Sequence, residues 1–222
     1  MYPIGKECKI RSIQVHGEDK KECYAGQRVA INLSNVKKKE IKRGCVFAPV
    51  NSMKNTDLLD VKVNILKSSM RVLTNHTRLH LFTGTSEILC RAVLLDKEEI
   101  GPGESGYVQL RLEEEIALRR GDKFVLRFYS PMETIGGGVV LEPNPVIHRR
   151  FQEPEVADLK RKESGSSIDV IELRIREHGV ELFTQAAVER LTAMSPEELA
   201  EAVPLLTESG VLLTFATSNA LY

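Results

Sequence analysis

Three consecutive glycines, Gly136 to Gly138, stand inside the run YSPMETIGGGVVLEPNP at 129–145, which also holds three of the chain's nine prolines. Glycine between β-branched residues marks backbone that something approaches closely, or a bulge that bends a strand. A phosphate cradle is the chemical reading. Against it, the downstream Lys-Ser/Thr of a P-loop is missing, and a strand follows where that loop needs a helix. On residue types alone the structural bulge is the preferred reading. The four cysteines, Cys8, Cys23, Cys45 and Cys90, make no CxxC pair and have no histidine at ligand spacing. They read as small buried hydrophobes, not metal ligands or disulfides. The five histidines are equally scattered, and no G-x-S-x-G surrounds a nucleophile. No catalytic residue and no metal site is assigned.

Charge narrows the partners. Lys+Arg and Asp+Glu are equal at 31 each, which argues against indiscriminate coating of nucleic acid, since phosphate binding draws on excess positive charge. A local basic patch stays open. With 42% hydrophobic and 28% charged residues, the chain can bury a core and is not disordered. No apolar run reaches bilayer length, and MYPIGKECK has no signal-peptide core. The expectation is a soluble, cytoplasmic chain with no membrane partner, built of one or two domains, or more if they are small.

Two regimes of patterning position these residues. Residues 8–15 alternate apolar and polar, 16–19 and 25–27 read as turns, and 28–33 form a strand with Val29, Ile31 and Leu33 on one face. The lysines at 37–39 read as a solvated turn, and the apolar 45–48 ends at Pro49. Strands are predicted at 59–65, 78–82, 85–95, 106–112 and 123–128, with a last one through 139–141. Glu113 to Glu115 read as a solvated strand end, and 100–104 and 120–122 as Gly-containing turns. Many short strands with Gly and Pro turns indicate a barrel or sandwich. After Pro145 the period changes. One or two helical turns are predicted at 156–161, a linker at 164–167 and helices at 168–178 and 185–192. Ser195-Pro196-Glu197-Glu198 then opens a helix to about Ser209, stopped by Gly210, before a strand at 211–215. That is a winged-helix order without the wing's returning strand. The expectation is a truncated module.

Several stretches together resemble the selenocysteine-specific translation elongation factors of SelB type, relatives of EF-Tu. They are RSIQVHG at 11–17, AGQRVAINL at 25–33, IKRGCVF at 41–47, HTRLHLFTGTSEILCRAVLLD at 76–96, and the long block at 102–145 that contains SPMETIGGGVVLEP. The resemblance implies a mainly β fold of EF-Tu-like antiparallel barrels followed by an α-rich winged-helix-type tail. Residues 1–56 would be a partial second-domain barrel, 57–145 a complete third-domain barrel, and 146–222 a linker with a truncated winged-helix-like domain. No G-x-x-x-x-G-K-[ST] occurs in the chain, so the expectation is a fragment that lacks the GTPase domain and cannot hydrolyse GTP by itself. GTP and Mg²⁺ belong to that absent domain, and no cofactor is expected here.

The resemblance also assigns residues. His16 and Arg28 fall on positions of the pocket that holds the amino acid esterified to tRNA. A selenol is more acidic than a thiol or alcohol, so selenocysteine is largely anionic at neutral pH, and a guanidinium would favour it over neutral serine. His76, Arg78, Arg127 and the backbone at Gly137 fall on tRNA-gripping positions, where glycine would let an A-form stem approach. Read without the family, Arg28, Arg78 and Arg127 are ordinary outward strand charges and His16 a surface histidine. Implied partners are selenocysteinyl-tRNA, the ribosome at recoded UGA codons, and the selenocysteine-insertion mRNA hairpin through later winged-helix modules. Alternatives are the barrel region of another translational GTPase and a non-enzymatic RNA- or protein-interaction module; a hydrolase is disfavoured for want of a nucleophile motif. An incomplete first barrel would leave a strand edge open, and open edges pair with other chains, so self-association is expected.

Overall fold

Period-two alternation governs the chain up to residue 142, but it produces burial only where a second layer covers the apolar face. The computed structural model describes residues 1–165 and 196–208, with the single positions 171, 188 and 210. Strands β1 (Lys9–Val15), β2 (Glu18–Lys20) and β3 (Val29–Ser34) form an antiparallel sheet in the order β2-β1-β3. Burial in this sheet is partial: Val15 and Ser34 are covered, while Ile10 and Ile31 remain 48% and 37% exposed. The turn expected at 16–19 is made by His16 and Gly17 alone, because Glu18 and Asp19 already belong to β2, which pairs Glu18 with Val15 and Lys20 with Ile13. A wholly polar strand carries no alternation to read.

The second unit is a closed antiparallel barrel. Its strands are β4 (Thr56–Ile65), then, past the short β5 (Leu73–Thr74), β6 (Arg78–Thr83) and β7 (Ser86–Leu94), and, past β8 (Glu99–Ile100), β9 (Ser105–Ile116), β10 (Lys123–Phe128) and β11 (Thr134–Glu142). The order around the wall is β10-β11-β4-β9-β7-β6, and β6 closes onto β10. Leu59, Val61, Val63 and Ile65 of β4 meet Leu79 and Leu81 of β6, Val108 and Leu110 of β9, and Phe124 and Leu126 of β10 in the interior. The mainly β, barrel-based class read from the sequence is what the structure holds. Of the four cysteines, Cys90 fits the expectation of a small buried hydrophobe, and burial pushes its thiol up to about 12. Cys23 is exposed, and Cys8 and Cys45 are half-buried; all three precede the closed barrel.

The glycine triplet lies within β11, and its neighbours are backbone. An added Cβ would fall 2.1 Å from the Asn64 carbonyl oxygen at Gly136, 2.3 Å from that of Phe124 at Gly137, and 1.8 Å from that of Lys62 at Gly138. Register shifts at Leu126/Arg127 and Val140/Glu142 flank the triplet. The last strand therefore begins at Thr134, five residues before the expected 139; glycine has poor strand propensity, and pairing on both sides supplies what propensity does not.

Helix α1 (Glu153–Ser164) is three turns long where one or two were expected. Glu153, Pro154 and Glu155 open it and Arg161 and Lys162 close it, matching the helix dipole. Few of its residues are apolar, and docking secures it: Val156 and Leu159 pack on Val93, Leu95, Tyr107 and Leu141 of the barrel's outer wall. Polar contacts fasten the same seam. His148 Nε2 lies 2.7 Å from Asp60 Oδ2 and its Nδ1 3.2 Å from Glu155, Gln109 donates to Asp60 at 3.0 Å, and Lys162 reaches Asp158 at 2.7 Å and Glu142 at 3.4 Å. Tyr107 donates its hydroxyl to Glu163, which also pairs with Lys62 at 3.1 Å. Helix α2 (Pro196–Glu208) starts at the proline read as its first residue, buries Leu199, Ala202 and Leu206, and meets Gly210 at φ 74°. The elements expected at 168–178, 185–192 and 211–215, and with them the winged-helix order, lie largely outside the described residues.

Candidate nucleic-acid interface

On β6 the side chains of Arg78, His80 and Phe82 alternate with the buried Leu79, Leu81 and Thr83, so they face outward. On β10 the buried Phe124, Leu126 and Phe128 leave Val125 and Arg127 outward, and Tyr129 follows directly. Pairing of Arg127 with His80 and of Val125 with Phe82 brings the two rows together. The result is a continuous ladder of rings capped by cations. His80 stacks between Tyr129, with centroids 5.5 Å apart, and Phe82, at 6.2 Å. The Arg78 guanidinium lies 4.5 Å from the Tyr129 centroid and that of Arg127 6.0 Å from the Phe82 centroid.

The hydrogen bond from Arg78 to Glu113 holds the guanidinium above its ordinary value and the Glu113 carboxyl below its own. Arg127 donates Nη2 to the Met132 carbonyl at 3.1 Å, while its buried Nε finds no acceptor among the described residues. Such a face offers fixed cations for phosphate and partly exposed ring faces for stacking.

Of the sequence-assigned residues, the structure brings Arg78 and Arg127 onto this one face. Gly137 pairs with Val125 and so lies in the same outward row one strand further on. His76 stands exposed in the turn before β6, with φ 61° and its N–H donating to the Ala92 carbonyl at 2.7 Å. His16 and Arg28 are elsewhere, in the first unit. They directly follow and precede the terminal ladder pair Val15–Val29, and both are exposed. His80, Phe82 and Tyr129 were missed, although the R-x-H-x-F spacing at 78–82 is legible as one face of a strand. Among the described residues no three His, Cys, Asp or Glu side chains gather as metal ligands, and no helix is long and apolar enough to cross a membrane.

Residues 60–146 match the profile of the "Selenocysteine-specific elongation factor, beta-barrel domain". The matched span takes in most of the closed barrel. Over 93% of its length the chain is 29% identical to the selenocysteine-specific elongation factor of Desulfomicrobium baculatum, covering 32% of that protein. It is also 29% identical to the factor of the same name from Methanocaldococcus jannaschii, over 73% of this chain and 38% of the relative. The crystal structure of the bacterial selenocysteine-specific elongation factor EF-Sec superposes on all of this chain with a TM-score of 0.67 and 25% identity, over 33% of its own length. The chain thus spans about a third of the length of these relatives.

Proposed function

We propose that these residues are the tRNA-binding portion of a selenocysteine-specific elongation factor, one that delivers selenocysteinyl-tRNA to the ribosome at recoded UGA codons in the cytoplasm. The observation that carries the reading is the ring ladder between Arg78 and Arg127, a cationic and stacking face on the wall of a SelB-type barrel. His76 and the Gly137 backbone border that face, and His16 and Arg28 form the aminoacyl pocket. GTP and Mg²⁺ serve a GTPase domain outside these residues, and winged-helix modules beyond α2 read the mRNA hairpin.

Binding of fluorescently labelled selenocysteine tRNA to the 222-residue chain, followed by anisotropy, tests it. Arg78→Gln and Arg127→Gln are each expected to weaken binding roughly five- to tenfold and to lower the salt dependence by about one counterion each. A wild-type chain that ignores tRNA, or a double variant that binds as well as wild type, overturns the reading.

A further inference from the structure

The register of the barrel places three arginines side by side. Arg78 of β6 pairs with Arg91 of β7, and Arg91 pairs with Arg111 of β9. Paired residues of an antiparallel sheet project from the same face with Cα atoms about 4.5–5.5 Å apart, and like charges directly opposite one another destabilise a sheet. A chain with no net charge nevertheless concentrates three cations in one row of its barrel wall. Glu113 engages Arg78 in this row and lies near enough to Arg91 for that charge to help hold its carboxyl low, after the larger effects of Arg78. Neither Arg91 nor Arg111 forms an ion pair with a described residue, and the buried Arg111 Nε has no acceptor among them. Arg91 is exposed and Arg111 half-buried, so the row is open to a partner.

Resting on the tRNA-binding reading above, we infer that Arg91 and Arg111 are phosphate-contacting residues that carry the RNA track from the ring ladder across β7 and β9. The partner that fits is a nucleic-acid backbone: a linear array of anions relieves a linear array of cations, and release of its counterions adds to the affinity. The row leaves the ladder at Arg78, so one backbone would run from the stacking rings onto the arginines without a gap.

Anisotropy titrations of the 222-residue chain with labelled selenocysteine tRNA, from low to moderate KCl, test the inference. Arg91→Gln and Arg111→Gln should each weaken binding by roughly three- to tenfold and flatten the log–log salt plot by about one. Arg91→Lys should restore most of the loss, since a phosphate accepts a point charge. Thermal melting should show Arg91→Gln as stable as wild type or more so, because a like-charge pair is gone. Lys160→Gln, which removes an equal charge from the exposed side of α1, should leave the salt slope unchanged. Wild-type binding by Arg91→Gln and Arg111→Gln, with binding lost in Arg78→Gln, overturns the arginine row and leaves the tRNA reading standing. Equal losses in Lys160→Gln overturn it as general electrostatics. Failure of the wild-type chain to bind tRNA, with or without Arg91-dependent capture of labelled poly-aspartate, overturns both.

Discussion

Arg78 donates Nε and Nη2 to the two carboxylate oxygens of Glu113, at 2.8 and 2.7 Å. The arginine best placed between the ring ladder and the arginine row is therefore already partnered, in the two-point geometry that guanidinium offers phosphate. On the tRNA-binding reading, Glu113 would compete with RNA for this guanidinium. Both side chains are about a third exposed, so the pair adds little to stability.

Glu113→Gln keeps the shape and removes the charge. It is expected to tighten tRNA binding by roughly two- to fivefold and to steepen the salt dependence by up to about one, with a melting temperature close to wild type. Anisotropy titration at two KCl concentrations checks it. Weaker binding would mean that Glu113 positions Arg78 for RNA instead of competing for it.

The ring ladder also shows what was legible in the residues alone. Barrel strands announce themselves when an apolar residue recurs at every second position, as at Leu59 to Ile65 or Phe124 to Phe128, because the interior filters for them. Arg78 and Arg127 came from the resemblance, but their common face did not: it depends on β6 closing against β10 across more than forty residues of chain. Tyr129 lies beyond the last residue of its strand, where periodicity has ended, and only pairing shows that it returns over His80. The two-residue strands β5 and β8 and the polar β2 are too short or too uniform to carry a period.

Gly137→Ala separates a packing role from RNA contact. Its new Cβ would lie 2.3 Å from the Phe124 carbonyl oxygen, which strand movement must relieve. Overpacking of this kind costs about 1–3 kcal/mol, a drop of roughly 2–10 °C in melting temperature for a chain of this size. Differential scanning calorimetry gives the answer. A variant that melts with wild type yet loses tRNA affinity would mark Gly137 as a point of direct approach.

His148 makes the docking of α1 sensitive to pH. Its hydrogen bond to Asp60 holds the imidazole above its ordinary value, against the effect of burial, with the charge of Asp60 and then Glu155 adding and Lys162 opposing. A raised folded value means that the contribution is complete below the unfolded histidine value of about 6.5 and is lost as pH rises through the folded value. Hydrogen exchange of residues 146–165, corrected for intrinsic rates, should show weaker protection at pH 9 than at pH 6. His148→Gln should remove the difference. Protection that rises with pH in the wild-type chain would contradict the charged His148 clamp.

The first sheet predicts association. Neither β2 nor β3 has a second strand partner among the described residues, and Ile10 and Ile31 lie exposed on it. Unpaired strand edges beside apolar side chains recruit further strands. Light scattering on the 222-residue chain should show a mass that climbs with concentration, and Ile31→Lys should reduce it. A constant monomeric mass at high concentration would show that the sheet is content with three strands.

Arg28 is the residue on which substrate choice would turn. It directly precedes Val29, whose ladder partner Val15 directly precedes His16 at φ 54°, so both residues flank the same end of the β1–β3 ladder. A selenolate about 4 Å from a guanidinium gains roughly 1 kcal/mol in water and about 4 at an effective dielectric of 20, whereas the seryl hydroxyl has no charge to gain from. In competition between selenocysteinyl-tRNA and seryl-tRNA, Arg28→Ala should therefore lose about five- to several-hundredfold of the wild-type preference, while Arg28→Lys keeps most of it. Acidification that protonates the selenol should erase the preference in wild type and leave Arg28→Ala unmoved. Full discrimination by Arg28→Ala would sink the pocket assignment without touching the barrel's claim on the tRNA stem.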